Sequence, residues 1–141
     1  MSQDPLLVSS QQKLLAALRL LFASIQDFQE FDPKRDYTPK EREPFDALSD
    51  RYLRAFESCL KFFKTWERVN EASVSDTFRD LLLRMEKQGF ISKAQTWVEL
   101  RDLRNRIAHE YLPEELARIY REIVVGAGNE FSLLKQKVEH N

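Results

Sequence analysis

The stretch FDALSDRYLRAFESCLKFFKTWER, residues 45–68, decides the fold class. Phe45, Leu48, Tyr52, Phe56, Cys59, Phe63 and Trp66 recur at steps of three and four, the period of one face of an α-helix. Arg51, Arg54, Lys61 and Lys64 fall on the opposite face. The spacing predicts a long helix with an aromatic inner face that runs to about Arg68. Its start is written just upstream: Thr38 supplies a hydroxyl cap, Pro39 suits the first helical position, and Glu41 lies three residues after the cap.

Working outward toward the N-terminus, Leu7, Leu14, Leu18, Leu21, Ile25 and Phe28 form a single stripe of an earlier helix, expected to end near Phe31. The segment FDPKRDYTPK, residues 31–40, carries two prolines and reads as a polar connection. Toward the C-terminus, polar residues from Asn70 to Ser75 precede a third helix, with Phe78, Leu81, Leu82 and Met85 inward and Gly89 as its left-handed stop. Ser92 and Gln95 resemble a second capping box, so a fourth helix is expected to begin there. Its inner stripe takes Trp97, Leu100, Leu103 (or Arg104) and Ile107. Pro113 disfavours helical geometry at Leu112, which should end or kink this helix just past Tyr111. Glu114 and Glu115 suit the positive end of a fifth helix lined by Leu116, Ile119, Ile123, Leu134 and Val138. Gly126 and Gly128 weaken its middle by about 1 kcal/mol each. These elements with short connections imply an all-α chain, an up-and-down bundle of four to five helices in one domain over residues 1–141.

Composition bounds the function. A length of 141 residues suits a single core, and a charged fraction of 32% with only three glycines excludes a low-complexity chain. The net charge of −1 argues against a surface that binds nucleic acid all over, although a local basic cleft remains compatible. Cys59 is the sole cysteine, which rules out an internal disulfide and fits a reducing compartment. The N-terminus has an acid where an export signal has a basic region, and no run approaches about 18 uninterrupted apolar residues. A cytoplasmic location without membrane partners is expected.

The glycines stand at 89, 126 and 128 only, so no glycine-rich phosphate loop exists. No two histidines have metal-ligand spacing, His140 reads as a polar tail, and Glu114-Glu115 is explained by the helix dipole. No metal or cofactor is expected. What remains is LRNRIAHEY, residues 103–111, with Arg104, Asn105, His109 and Tyr111. Histidine exchanges protons near neutral pH, and arginine is a permanent cationic fork that fits a phosphate. Together they can cleave RNA: one group helps remove the ribose 2′-hydroxyl proton, and the cation stabilises charge on the phosphoryl oxygens. On an ideal helix five residues turn about 140°, so Arg104 and His109 flank a groove instead of meeting, whereas Tyr111 falls on the stripe of Arg104. A two-fold dimer could gather two arginines and two histidines in one cleft. Asn105, four residues before His109, could hydrogen-bond to it or to a phosphate. The plainer alternative keeps His109 as a polar residue at a helix C-terminus and pairs Arg104 with Asp102, Glu99 or Glu110.

The pattern Arg-x4-His-x-Tyr, with Asn directly after the Arg, resembles the signature of the HEPN superfamily, in particular HepT-like toxins and nucleotidyltransferase-companion proteins. RYLRAFESCLKFFKTW, residues 51–66, is similar to the family's second helix, and residues 76–111 are similar to its third and fourth. The resemblance implies a homodimeric helical bundle with metal-independent endoribonuclease activity toward an RNA substrate. Arg104 and His109 would be catalytic, with Asn105 assisting. In the toxin–antitoxin branch it implies a minimal nucleotidyltransferase antitoxin acting in trans, which transfers AMP from ATP to Tyr111 and silences the nuclease. The alternative implied by the companion proteins is a non-catalytic subunit that binds substrate for a nucleotidyltransferase.

Overall fold

A computed structural model describes residues 4–140, so residues 1–3 and 141 of the expected domain lie outside the described residues. The chain is an all-α bundle: α1 (Pro5–Gln26), α2 (Pro39–Asn70), α3 (Phe78–Lys87), α4 (Ala94–His109), α5 (Pro113–Arg121), a π-helical segment (Glu122–Ala127) and α6 (Gly128–Glu139). Helix α2 is the central element and touches α1, α3, α4, α5 and the π segment.

The aromatic face of α2 is the core, as the three-four rhythm predicts. Tyr52, Phe56, Cys59, Phe62 and Phe63 are fully buried, each large side chain contributing about 1.5–3 kcal/mol by leaving water. Burial pushes the Cys59 thiol well above its ordinary range and does the same to the Tyr52 phenol. Tyr52 therefore stays protonated and donates to the Leu100 carbonyl at 2.6 Å. The capping box forms: the Glu41 amide donates to Thr38 Oγ1 and the Thr38 amide to Glu41 Oε1. The backbone hydrogen bond from Thr38 is the main reason that the Glu41 carboxyl lies below its usual range.

Three element boundaries differ from expectation. Helix α1 stops at Gln26, not near Phe31, because Asp27 caps it and the chain turns to bury Phe31 as a plug. That ring stacks on Tyr37 at 4.8 Å and meets Phe45 and Tyr120 edge-on at 5.0 and 5.3 Å. Apolar spacing alone does not separate a helical phenylalanine from one held by a loop. Helix α1 is also long and apolar enough by length and composition to cross a membrane. Here its Leu7, Leu14, Leu18 and Leu21 pack into the core beside α2.

The expected capping box at Ser92 and Gln95 does not form. Helix α4 starts at Ala94 after Lys93, with no side-chain cap. Ser92 serves another partner: its amide and hydroxyl donate to the buried Glu130 carboxylate of α6, as does the Trp97 indole N–H at 2.8 Å. Glu86 takes the capping role by accepting from the Ala94 amide at 2.7 Å. At the other end α4 finishes at His109, two residues before Tyr111. The weak point that Gly126 and Gly128 mark in the sequence coincides with a change of helix type. The last helix continues in right-handed helical geometry through the six-residue π segment, which buries Ile123 and Ala127. Gly89 stops α3 with φ +83°, as expected.

Glu130 ties α6 to the start of α4 by three donors, so its removal strands the buried Trp97 indole N–H and takes the partner from the part-buried Ser92 amide. A stranded buried donor costs about 1–3 kcal/mol. Glu130→Ala is expected to lower stability by about 3 kcal/mol in urea unfolding and Glu130→Gln by less. A loss under about 1 kcal/mol for the alanine variant would show that the network is dispensable.

Candidate functional site

Helix α4 carries three arginines near the motif, and the fold gives each a different task. Arg101 lies over the Phe78 ring at 4.3 Å. Arg106 Nη2 donates to both Glu122 oxygens at 2.8 Å, and its Nε lies 3.3 Å from Asp102. This clamp fastens α4 to the π segment. Arg104 alone faces the groove between α1 and α2.

The Arg104 Nε donates to Glu57 Oε1 on α2 at 2.6 Å, and its Nη1 donates to Asn105 Oδ1 at 3.3 Å. The expectation that Arg104 pairs with Asp102, Glu99 or Glu110 is therefore corrected: Asp102 goes to Arg106, and the partner of Arg104 comes from another helix. Glu57 was not singled out among the candidate site residues. Its signal is visible afterwards, since it is the only acid in the sixteen-residue stretch RYLRAFESCLKFFKTW, residues 51–66. Both partners of this pair are about half exposed (43% and 46%), so the ion pair aims the guanidinium more than it stabilises the fold.

His109 is the last residue of α4 and is exposed. It stands about 140° around the axis from Arg104 and about 7.5 Å along it, so one chain does not bring the two together on one stripe. Asn105 turns its carbonyl oxygen to Arg104 and makes no hydrogen bond to His109 among the described residues.

Tyr111 does not share a helical stripe with Arg104, which corrects the sequence expectation. Glu110 is already extended (φ −96°, ψ 132°), so seven-residue helical spacing does not apply to Tyr111. Two local forces stop the helix early. Pro113 holds Leu112 extended, and the Glu110 carboxylate accepts from the Tyr111 and Leu112 amides at 3.1 and 3.0 Å, satisfying donors that further helix would have used. Tyr111 itself is 83% exposed to solvent.

The all-α bundle thus presents a half-exposed, oriented arginine and an exposed histidine on one helix, at the surface and not in a buried cleft. The chain matches the family described as "HepT-like: Ribonuclease HepT-like" over residues 18–136, which includes all four motif residues. It belongs to that ribonuclease family, within the HEPN superfamily, and the activity the family supports is endoribonucleolytic. None of the curated proteins compared matches the chain.

Because the Arg104–Glu57 pair is half exposed, its stabilising effect should be under about 1 kcal/mol. Glu57→Gln is thus expected to unfold at nearly the wild-type urea concentration. A fall of more than about 2 kcal/mol would make the pair a structural strut instead of an aiming contact.

Proposed function

We propose that this chain is a metal-independent endoribonuclease toxin of a toxin–antitoxin pair, acting in the cytoplasm as a homodimer with Arg104 and His109 of both subunits in one cleft. The observation that carries this reading is the direction of Arg104: alone among the arginines around the motif, it is turned into an open groove. His109, exposed on the same helix, is available to a second subunit.

The chemistry follows from the residue types. A neutral imidazole of His109 takes the proton from a ribose 2′-hydroxyl as the 2′-oxygen forms a bond to the adjacent phosphorus. The bond from phosphorus to the 5′-oxygen breaks, and that oxygen leaves with a proton, which the partner subunit's imidazolium can supply. The products are a 2′,3′-cyclic phosphate and a 5′-hydroxyl. Arg104 stabilises the charge that builds on the non-bridging oxygens, and Glu57 keeps its fork from wandering. Asn105, held against Arg104, assists as a polar neighbour.

Regulation is assigned to Tyr111. A minimal nucleotidyltransferase acting in trans transfers AMP from ATP: the phenol oxygen bonds to the α-phosphorus, pyrophosphate leaves, and the phenol proton passes to the transferase. The exposure of Tyr111 supports this role, since the transferase must reach it. The adduct adds a negative charge near the end of α4, where the RNA phosphate would otherwise bind.

Purified protein should cleave RNA in EDTA. Arg104→Ala and His109→Ala should each lower the rate by about 10²–10⁴. Cleavage indifferent to both substitutions would sink the mechanism, and an inert wild type that still binds nucleotide would favour the companion-subunit alternative. For the switch, co-expression with the transferase should raise the intact mass by whole AMP units. The same rise in Tyr111→Phe would refute that residue as the acceptor.

A further inference from the structure

Two hollows between α1 and α2 share Lys13, Ser58 and Lys61 and so form one continuous groove, with volumes of about 330 and 530 Å³. The first is lined by Lys13, Lys61, Lys64 and Arg68 and by no carboxylate. The second adds Arg51, Arg54 and Arg104, and Glu57 is its single acid. The chain as a whole has 22 basic and 23 acidic residues, so this concentration does not reflect a general excess of base. Helix α1 contributes to it by omission: between Pro5 and Gln26 it has no Asp or Glu.

The strip has a regular basis. Residues 51, 54, 58, 61, 65 and 68 repeat at steps of three and four along α2, on the face that the aromatic core leaves to solvent. From Arg51 to Arg68 this spans about 26 Å of helix. Among the described residues, Lys13, Lys61, Lys64 and Arg68 form no salt bridge. Their charges are available to an external anion. The short side chains of Ala16 and Ala17 leave the floor open, and no aromatic ring lines either hollow.

We infer that the α1–α2 groove is a track for the phosphate backbone of a single RNA strand, leading from Lys64 and Arg68 to Arg104. The inference rests on the ribonuclease reading above and adds where the strand lies and how it is gripped. A single strand fits better than a protein partner because the groove is a narrow line of regularly spaced cations beside Arg104, which the same reading sets against a phosphodiester. Without stacking rings, the grip is electrostatic and does not read bases. Specificity, if present, must then arise at the cleft.

The test is fluorescence anisotropy with a short, uncleavable 2′-O-methyl oligouridylate across a range of KCl concentrations, with full-length protein in EDTA. The double variant Lys64→Ala/Arg68→Ala should weaken binding about tenfold. It should also reduce the slope of log affinity against log salt by about 1.4, since each lost phosphate contact on a single strand accounts for about 0.7. An equal charge change elsewhere, Arg79→Ala/Lys87→Ala on α3, should leave the slope unchanged, and 2′-O-methyl oligoadenylate should bind within about twofold of oligouridylate. Urea unfolding of both double variants checks that they are folded. If the groove variant keeps the wild-type slope, or if both double variants lower it equally, the track is overturned. Polyglutamate that competes more strongly than RNA also overturns it, in favour of an acidic protein partner. Failure of this inference is distinguishable from failure of the nuclease reading: an unchanged slope beside cleavage that needs Arg104 and His109 removes the track alone. A reduced slope in a protein that cuts nothing removes the nuclease and leaves the track.

Discussion

Trp97 is the contact on which the arrangement depends. Its ring packs on Phe56, Phe63 and Phe131 at centroid distances of 6.1, 5.0 and 5.5 Å, joining α4 to α2 and α6 at one point. Its indole N–H is satisfied by Glu130, so the largest side chain of the core is buried without stranding a donor. Trp97 also fixes the register of α4. Two turns further on, Arg104 comes level with Glu57, the residue next to Phe56. The aim of a half-exposed arginine is thus set by a buried tryptophan two turns away.

This division of labour explains the charges on α4. A cation that fastens helices must be spent on a carboxylate in good geometry, and Arg106 is, by a two-oxygen contact with Glu122. In the proposed mechanism Arg104 meets a substrate phosphate, so it must stay accessible and yet not flail. The Glu57 contact serves that end, because a half-exposed pair is weak enough to yield to a phosphate and strong enough to orient the fork. The π segment takes part through Glu122, which lies within it, so the widened turn supplies the anchor for the arginine two positions beyond Arg104.

The same economy shapes the face opposite the core. The three-four rhythm that buries the rings of α2 lines up the positions facing α1, and four of the six, Arg51, Arg54, Lys61 and Arg68, are basic. A chain of net charge −1 therefore carries a strongly positive line beside its motif. Other acids are used away from this line: Glu41 caps a helix, and Glu122 and Glu30 pair with arginines.

The sequence by itself determined the elements whose causes are local. The inner stripes of α1, α2 and α3, the Thr38 capping box, the stop at Gly89 and the start of α5 at Pro113 all depend on residues within a few positions of one another. The motif Arg-x4-His was legible for the same reason, as a spacing. Tertiary structure decided whatever depended on competition between distant groups. Ser92 reads as a cap but is claimed by Glu130, thirty-eight residues away. Phe31 reads as the end of the first helix, and is buried in a loop because Tyr37, Phe45 and Tyr120 surround it. Tyr111 reads as helical, until the Glu110 side chain takes its amide. Arg104 has acids nearby on its own helix and is bound instead by Glu57, because the docking of α4 on α2, through Trp97 and the Tyr52–Leu100 hydrogen bond, brings that carboxylate across. Periodicity specifies which face of a helix is buried; which charged group meets which is fixed only when the helices are docked.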